Sequence, residues 1–124
     1  AREIMRLTLP DGTIGHAELR IDKAPIMLAD EVPDMGYLGP QSLGGSPVAI
    51  VLYVDDVDAR CAQAEREGAT LLKPIVDEFF GDRSGTLTDP FGHIWTLSTR
   101  IENLTPEQMQ QRFDQALRRA EDGS

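Results

Sequence analysis

The spacing of hydrophobic and polar residues in the first half of the chain predicts three β-strands. Residues 3–9 (EIMRLTL) favour an extended conformation and are followed by a Pro-Asp-Gly turn sequence. Residues 15–21 (GHAELRI) alternate between polar and apolar positions, as a strand with one buried face does. Residues 25–29 (PIMLA) form the third predicted strand. Residues 30–47 are rich in Pro, Gly, Asp and Ser, and we interpret them as a long loop.

A second pattern begins at residue 48 and predicts a strand followed by a helix. The run 48–54 (VAIVLYV) is almost wholly apolar, which is typical of a central strand covered on both faces. Asp55 or Asp56 can cap a helix over residues 57–67, because a short carboxylate accepts hydrogen bonds from the first free backbone N–H groups. Gly68 is expected to end this helix in the left-handed conformation.

The remaining sequence predicts one more strand, a hairpin and a closing helix. Residues 70–75 favour a strand that Pro74 interrupts. Residues 83–89 and 93–99 form a hairpin across an Asp-Pro-Phe-Gly turn, in which Pro presets φ and Gly supplies a positive φ. Thr105 begins a capping-box sequence, Thr-Pro-Glu-Gln, and therefore opens a final helix.

The charge of the chain argues against two classes of partner. Its 12 basic and 21 acidic residues give a formal net charge of −9. Nucleic acids and anionic membranes are bound by clustered Lys and Arg, so neither partner is expected. No apolar run approaches the ~20 residues that cross a bilayer. Residues 30–89 hold twelve acids and four bases; this local acidity would suit a cationic ligand, although solubility alone also explains it.

Cysteine usage and the N-terminal sequence predict a cytoplasmic protein. Cys61 is the single cysteine, so an internal disulfide cannot form, and this fits a reducing compartment. The first residues do not show the basic start and apolar core that are typical of a secretion signal.

Several stretches of the sequence resemble a known superfamily. Residues 79–86 (FFGDRSGT) and 89–95 (DPFGHIW) are similar to the closing hairpin of the glyoxalase/bleomycin-resistance superfamily, which has the vicinal oxygen chelate fold. Residues 15–21, 25–30 and 42–47 resemble, more narrowly, its PhnB-like branch. The resemblance implies an α+β fold of paired βαβββ modules that form a cup-shaped sheet, usually within a homodimer.

Compared with that pattern, the first module lacks its opening strand and helix in this chain. We therefore expect residues 1–104 to form a glyoxalase/bleomycin-resistance-like domain. Within it, residues 1–47 are a partial module one and residues 48–104 are module two. Residues 105–124 are expected to form a C-terminal helix.

The resemblance also implies where a metal would bind. Metal-dependent members hold a divalent ion with His and Glu, and three of the corresponding positions here are Met27, Val51 and Thr96. Valine has no donor atom, and a thioether suits soft metals, so these residues do not supply the expected ligands. The fourth position would lie in the segment that this sequence does not contain. We therefore expect no cofactor, including a divalent metal.

Strand alternation predicts which side chains line the cup. Val51 and Tyr53 share one face of their strand, and Met27 and Thr96 occupy the corresponding faces of theirs. Tyr53 could bond a ligand or fill the core equally well. The predicted ligand-binding residues are His16, Glu18, Met27, Val51, Tyr53, Phe80, Arg83 and Thr96.

Some of these residues have an alternative structural interpretation. His16 and Glu18 share a strand face and could form a proton-relay pair or bind another ion, but such pairs are more often cross-strand partners. Phe80 belongs to an adjacent aromatic pair, of which one ring is expected to reach a pocket or a partner. Arg83 could pair with Asp82 or bind an anionic substrate.

The sequence favours a binding protein over an enzyme. It contains neither a nucleophile-elbow serine nor a phosphate-binding glycine loop. Our first hypothesis is a small-molecule-binding homodimer of the glyoxalase/bleomycin-resistance type, without the usual metal site. One alternative is a metal-dependent lyase or isomerase of glyoxalase type, with ligands from the missing segment or from His16 and Glu18. The other is an orphan structural dimer.

Overall fold

The computed structural model describes residues 1–123, and Ser124, the last residue of the predicted C-terminal helix, lies outside them. The described chain forms two compact units. The first comprises residues 1–45, and the second begins at Ser46. The α+β class predicted from the sequence is confirmed, with seven strands in two open sheets within the described residues.

The first unit is built on a three-stranded antiparallel sheet. Its strands are β1 (Arg2–Thr8), β2 (Ile14–Ile21) and β3 (Ala24–Leu28), which pair in the order β1–β2–β3. All three were predicted to within two residues at each end. The turn between β1 and β2 places Gly12 at a φ of +89°, a conformation that glycine adopts without steric cost.

The segment after β3 was predicted as a long loop, and the structure corrects this prediction by placing two short helical elements within it. It contains a 3₁₀ turn at Pro33–Met35 and a short helix, α1, at Pro40–Leu43. Proline begins both, because its fixed φ suits the first position of a helix. The Glu31 carboxylate holds the segment by accepting hydrogen bonds from the Gly39 backbone N–H at 2.7 Å and from the Ser42 hydroxyl at 2.7 Å.

The second unit contains a four-stranded mixed sheet in the order β4–β7–β6–β5. β4 runs parallel to β7, and the other neighbours are antiparallel. Its elements are β4 (Ala49–Tyr53), α2 (Val57–Arg66), β5 (Thr70–Asp77), β6 (Asp82–Thr88), β7 (Ile94–Arg100) and α3 (Pro106–Asp122).

Helix α2 covers one face of this sheet and forms the core of the unit. As predicted, the Asp56 carboxylate caps the helix by accepting the Ala59 N–H, and Gly68 follows the helix with a φ of +108°. Val57 and Cys61 of α2 are buried in a cluster with Val54, which directly follows β4, and with Leu87 and Leu97 of the sheet.

Two predictions about strands need correction. The apolar run at β4 was expected in the centre of the sheet, but within the described residues β4 is an edge strand that pairs only with β7. On one face of β4, Ile50 and Leu52 are half-buried and Leu52 packs against the core cluster, whereas Val51 and Tyr53 on the other face are exposed. Pro74 was expected to break β5, yet the strand continues to Asp77. An edge strand with register shifts tolerates proline, because a missing N–H there costs no ladder bond.

The final helix, α3, begins as predicted. The Thr105 hydroxyl accepts the Gln108 N–H at 3.2 Å, and the Gln108 side chain accepts the Thr105 N–H at 2.9 Å, which completes a capping box. Phe113 of this helix stacks on Phe79, with ring centroids 5.6 Å apart.

Candidate functional site

The candidate site is the face of the second unit's sheet that is opposite to α2, and we call it the hydroxyl face. Residues that pair directly across neighbouring strands carry their side chains on the same face. A first row crosses the four strands as Val51, Thr96, Thr86 and Lys73, and a second row is Tyr53, Ser98, Ser84 and Val76. Asp82 and Arg100 form an adjoining pair at the ends of β6 and β7.

Two hydrogen-bonded pairs of hydroxyl groups occupy the middle of this face. The Ser84 and Ser98 Oγ atoms lie 2.8 Å apart, and both side chains are buried. The Thr86 and Thr96 Oγ1 atoms lie 3.0 Å apart, and these side chains are half-buried. Each pair uses only one of its two O–H donors for the bond between its members. The threonine pair can therefore offer a donor and lone pairs to a ligand.

An apolar strip lies beside the hydroxyl groups, on the edge strand β4. Val51 is 57% exposed and Tyr53 is 52% exposed. The other residues of their strand, Ala49, Ile50 and Leu52, are also apolar. They occupy alternate positions and therefore project from the same face. Two large apolar side chains next to hydroxyl donors are the combination that small-molecule sites commonly use.

A charged cluster closes one end of the face. The Asp82 side chain is only 3% exposed; it accepts the Tyr53 O–H at 2.6 Å and the Arg100 Nε–H at 2.8 Å. Arg100 Nη2 donates to the Tyr53 hydroxyl oxygen at 3.2 Å, and the guanidinium carbon is 5.2 Å from the centroid of the Tyr53 ring. The hydrogen bonds to Tyr53 and Asp82 raise the pKa of Arg100 above its ordinary value, so the guanidinium remains charged.

The ligand residues predicted in the first unit share one face of its sheet. Glu18 on β2 lies directly opposite Met27 on β3, and His16 lies two residues before Glu18 on the same face. Met27 is exposed, whereas His16 and Glu18 are half-buried. On β1, Met5 pairs with Glu18 and Leu7 pairs with His16, so exposed apolar side chains surround these two polar residues. Their role in ligand binding stays a prediction.

In the second unit, Val51, Tyr53 and Thr96 meet on the hydroxyl face, but Arg83 does not join them. Arg83 projects from the opposite face and donates to Asp58 at 2.9 Å and 3.0 Å and to Asp77 at 2.9 Å. The suggested pairing of Arg83 with Asp82 was therefore wrong.

The other predicted residue, Phe80, lies in the turn before β6. Its ring makes an edge-to-face contact with Phe79 at a centroid distance of 5.3 Å. Phe79 in turn stacks on Phe113, so the adjacent aromatic pair packs at least partly against the closing helix. Phe80 is half-buried, and its contact with a ligand stays a prediction.

Sequence reasoning missed Asp82 and Arg100 as members of the site. The alternation that places Thr96 on this face also places Ser98 and Arg100 there, and the hairpin register then brings Asp82 opposite Arg100. Extending the alternation by two residues could have identified Arg100. The choice of Arg100 over Arg83 as the partner of Asp82 depends on which face each arginine occupies, because consecutive strand residues project from opposite faces.

Comparison with known proteins identifies the family. The sequence profile of the Glyoxalase/Bleomycin resistance protein/Dioxygenase superfamily matches residues 3–97. The chain belongs to this superfamily. An uncharacterized protein of Mycobacterium bovis is 42% identical over 113 residues, which cover 89% of this chain and 74% of that protein. The match to an uncharacterized protein of Mycobacterium tuberculosis covers 66% of that protein, so the chain spans two thirds to three quarters of such relatives.

Solved structures support the same fold. TioX from Micromonospora sp. ML1 is 26% identical, with a TM-score of 0.59 over 84% of this chain and 80% of that chain. The PhnB protein from Bacillus cereus is 17% identical, with a TM-score of 0.57 over 79% of this chain and 78% of that chain. The resemblance inferred from the closing hairpin is thereby confirmed, and the structural neighbours include a PhnB protein.

The residues of the hydroxyl face do not fit the divalent metal that the superfamily can hold. Both carboxylate oxygens of Asp82 accept hydrogen bonds, and the adjacent Arg100 cation would repel a metal ion. Val51 offers no donor atom, and Thr96 supplies a neutral hydroxyl where the family pattern has a carboxylate. Among residues 1–123, no three His, Cys, Asp or Glu side chains are grouped closely enough to hold a metal ion.

A helix that crosses a bilayer needs about 20 predominantly apolar residues. None of the helices within residues 1–123 is both long and apolar enough to span a membrane. The cytoplasmic location stays a prediction.

Proposed function

We propose that the protein binds a small, partly apolar molecule on the hydroxyl face and needs no divalent metal to do so. The observation that carries this proposal is the pair of exposed apolar side chains, Val51 and Tyr53, beside the Thr86–Thr96 hydroxyl pair. Removing apolar surface from water stabilises a complex by roughly 25 cal/mol per Å². The hydroxyl groups would then orient the polar part of the ligand.

We propose no metal requirement because the hydroxyl face has too few free metal-ligating atoms. Lewis-acid chemistry needs several N or O ligands around one ion and an open position for the substrate. On the hydroxyl face the single carboxylate, Asp82, is already committed to Tyr53 and Arg100. Binding should therefore be unchanged in buffer that contains a chelator.

The first prediction concerns Val51. Val51→Asn places a neutral polar group on the apolar strip and is expected to weaken ligand binding about fivefold or more, because the amide would lose its hydrogen bonds to water beneath the ligand. The measurement is a thermal-shift screen of a broad small-molecule library, followed by calorimetric titration of the hits in the presence of EDTA.

Val48→Asn is the matched control for this experiment. Val48 is 63% exposed but precedes strand β4, outside the paired positions that define the hydroxyl face. Its substitution should leave the affinity within twofold of wild type. A library without hits would overturn the proposal, as would hits that both asparagine variants weaken equally.

We also propose that the protein is a homodimer. The family resemblance supports this, and so does the face of the first unit that carries His16 and Glu18, where Leu7 and Met27 expose apolar surface. Light scattering should give about twice the chain mass of 13.7 kDa. A monomer mass at high protein concentration would contradict the dimer and leave ligand binding untouched.

A further inference from the structure

The hydroxyl face also indicates which class of ligand it accepts, and this inference rests on the proposed function. We propose that the ligand is an organic monoanion whose carboxylate pairs with Arg100 while its apolar body lies on Tyr53 and Val51.

Arg100 presents a donor edge that the protein itself does not use. A guanidinium group has five N–H donors, which form one edge at Nε and Nη2 and another at Nη1 and Nη2. The first edge is directed into the cluster, with Nε bonded to Asp82 and Nη2 bonded to Tyr53. Within residues 1–123 no hydrogen bond is made by Nη1, and the side chain is 49% exposed. The outer edge has the fork geometry that matches a carboxylate.

The cluster also holds this edge in position. Arg100 is tied to Asp82 and lies over the ring of Tyr53, while Asp82 is held in turn by the Tyr53 hydroxyl. A side chain that is already fixed loses less conformational entropy when it binds a ligand. The Asp82 carboxylate balances part of the Arg100 charge, which suits a monoanion better than a dianion.

The charges of the second unit are divided between the two faces of its sheet. The paired positions of the hydroxyl face include two bases, Lys73 and Arg100, and one acid, the buried Asp82. On the opposite face, Asp58 and Asp77 are bonded to Arg83. The overall charge of −9 would favour a cationic ligand, but this face carries an excess of one positive charge among its paired positions.

The spacing of the face sets the approximate length of the ligand. The Arg100 guanidinium carbon lies 5.2 Å from the centroid of the Tyr53 ring, so the two groups that would contact the ligand are a few ångströms apart. An aromatic or aliphatic body joined to a carboxylate by a few bonds can therefore contact Tyr53 and Arg100 together. A hydroxyl or amide group along the body could reach Thr86 or Thr96.

The test compares ligands that differ only in charge. The probes are phenylpropionate, phenylpropionamide and phenylpropylamine, together with the three naphthyl counterparts, titrated by calorimetry at neutral pH. We expect the carboxylate of at least one scaffold to bind at least tenfold more tightly than its amide, and the amine to bind most weakly. If an amide or amine binds as well as its carboxylate, this inference is overturned.

The protein variants locate the binding. Arg100→Gln combined with Asp82→Asn removes the cation without leaving the buried carboxylate unpaired, and should reduce carboxylate affinity at least tenfold while leaving amide affinity unchanged. Arg112→Gln is the matched control: it removes an ion-paired arginine, the partner of Glu102, from outside the hydroxyl face. Carboxylate binding that survives the double substitution, or that Arg112→Gln weakens equally, would refute the inference.

A second variant covers the case in which the double variant does not fold. Arg100→Lys keeps the charge and the partner of Asp82 but loses the planar fork, so carboxylate affinity should fall severalfold. An unchanged affinity in this variant would refute the bidentate contact. If none of the six probes binds, the anionic ligand class is wrong, whereas the library screen with Val51→Asn decides the proposed function separately.

Discussion

Gly81→Ala is expected to lower the free energy of unfolding by about 3 kcal/mol, because two unfavourable terms add at this position. Gly81 has a φ of +92°, which L-residues with a Cβ rarely adopt. An added Cβ would also lie 2.8 Å from the Glu102 carbonyl oxygen, which is backbone and cannot rotate away. Urea unfolding monitored by circular dichroism measures the change.

Gly12→Ala separates the two terms. Gly12 has a similar φ of +89°, but an added Cβ there would meet no heavy atom within 4 Å. Its substitution should cost about 1 to 2 kcal/mol, the backbone term alone. Equal losses for the two variants would show that the contact with Glu102 does not restrain Gly81.

The Gly81 substitution should also affect the site. The Gly81 carbonyl accepts the backbone N–H groups of Ile101 and Glu102 at 2.9 Å and 3.0 Å, which ties the turn before β6 to the end of β7. Asp82 and Arg100, the charged pair of the hydroxyl face, are the neighbouring residues on those two strands. We therefore expect Gly81→Ala to weaken carboxylate binding even under conditions in which the variant remains folded.

The second large effect is expected for Leu87→Ala, which should lower the free energy of unfolding by about 3 kcal/mol. Leu87 is fully buried on β6 and belongs to the cluster that contains Val57 and Cys61 of α2. Truncation to alanine removes buried apolar atoms and leaves a cavity between the helix and the sheet. The urea dependence of the unfolding free energy should keep the wild-type slope.

Leu72→Ala is the control for Leu87. Leu72 lies on the edge strand β5 and is about half exposed, so the same truncation should cost about 0.5 kcal/mol. The Leu87 side chain projects from the face of the sheet opposite to Thr86 and the hydroxyl face. The folded Leu87→Ala variant should therefore bind carboxylates with an affinity within twofold of wild type. A loss of stability at Leu87 no larger than that at Leu72 would contradict the proposed core.

Much of the secondary structure could be predicted from local patterns. The alternation in residues 15–21, the capping residue Asp56 and the capping box at Thr105 all act within a few residues of the backbone they organise. The errors occurred where distant residues decide the outcome. Pro74 is accepted in β5 because the strand lies at the sheet edge, and the loop after β3 is ordered by Glu31, which bonds to residues eight and eleven positions away.

The candidate site shows the same division between local and distant information. Alternation correctly placed Val51, Tyr53 and Thr96 on one face, because the period of two residues is a property of any strand. It could not show that Asp82 bonds to Tyr53, which is 29 residues away in sequence, or that Arg83 is held by Asp58 across the helix–sheet interface.

The sequence by itself therefore determined the family, the α+β class, most strand and helix positions and the acidic charge of −9. The tertiary structure decided where that charge is located and which polar groups meet. Strand pairing places Arg100 next to a buried Asp82 and sends Arg83 to the opposite face, where acids already bind it. The physical reason is that a side chain's face follows from its own strand, whereas its partner follows from sheet order and register, which only the assembled sheet defines.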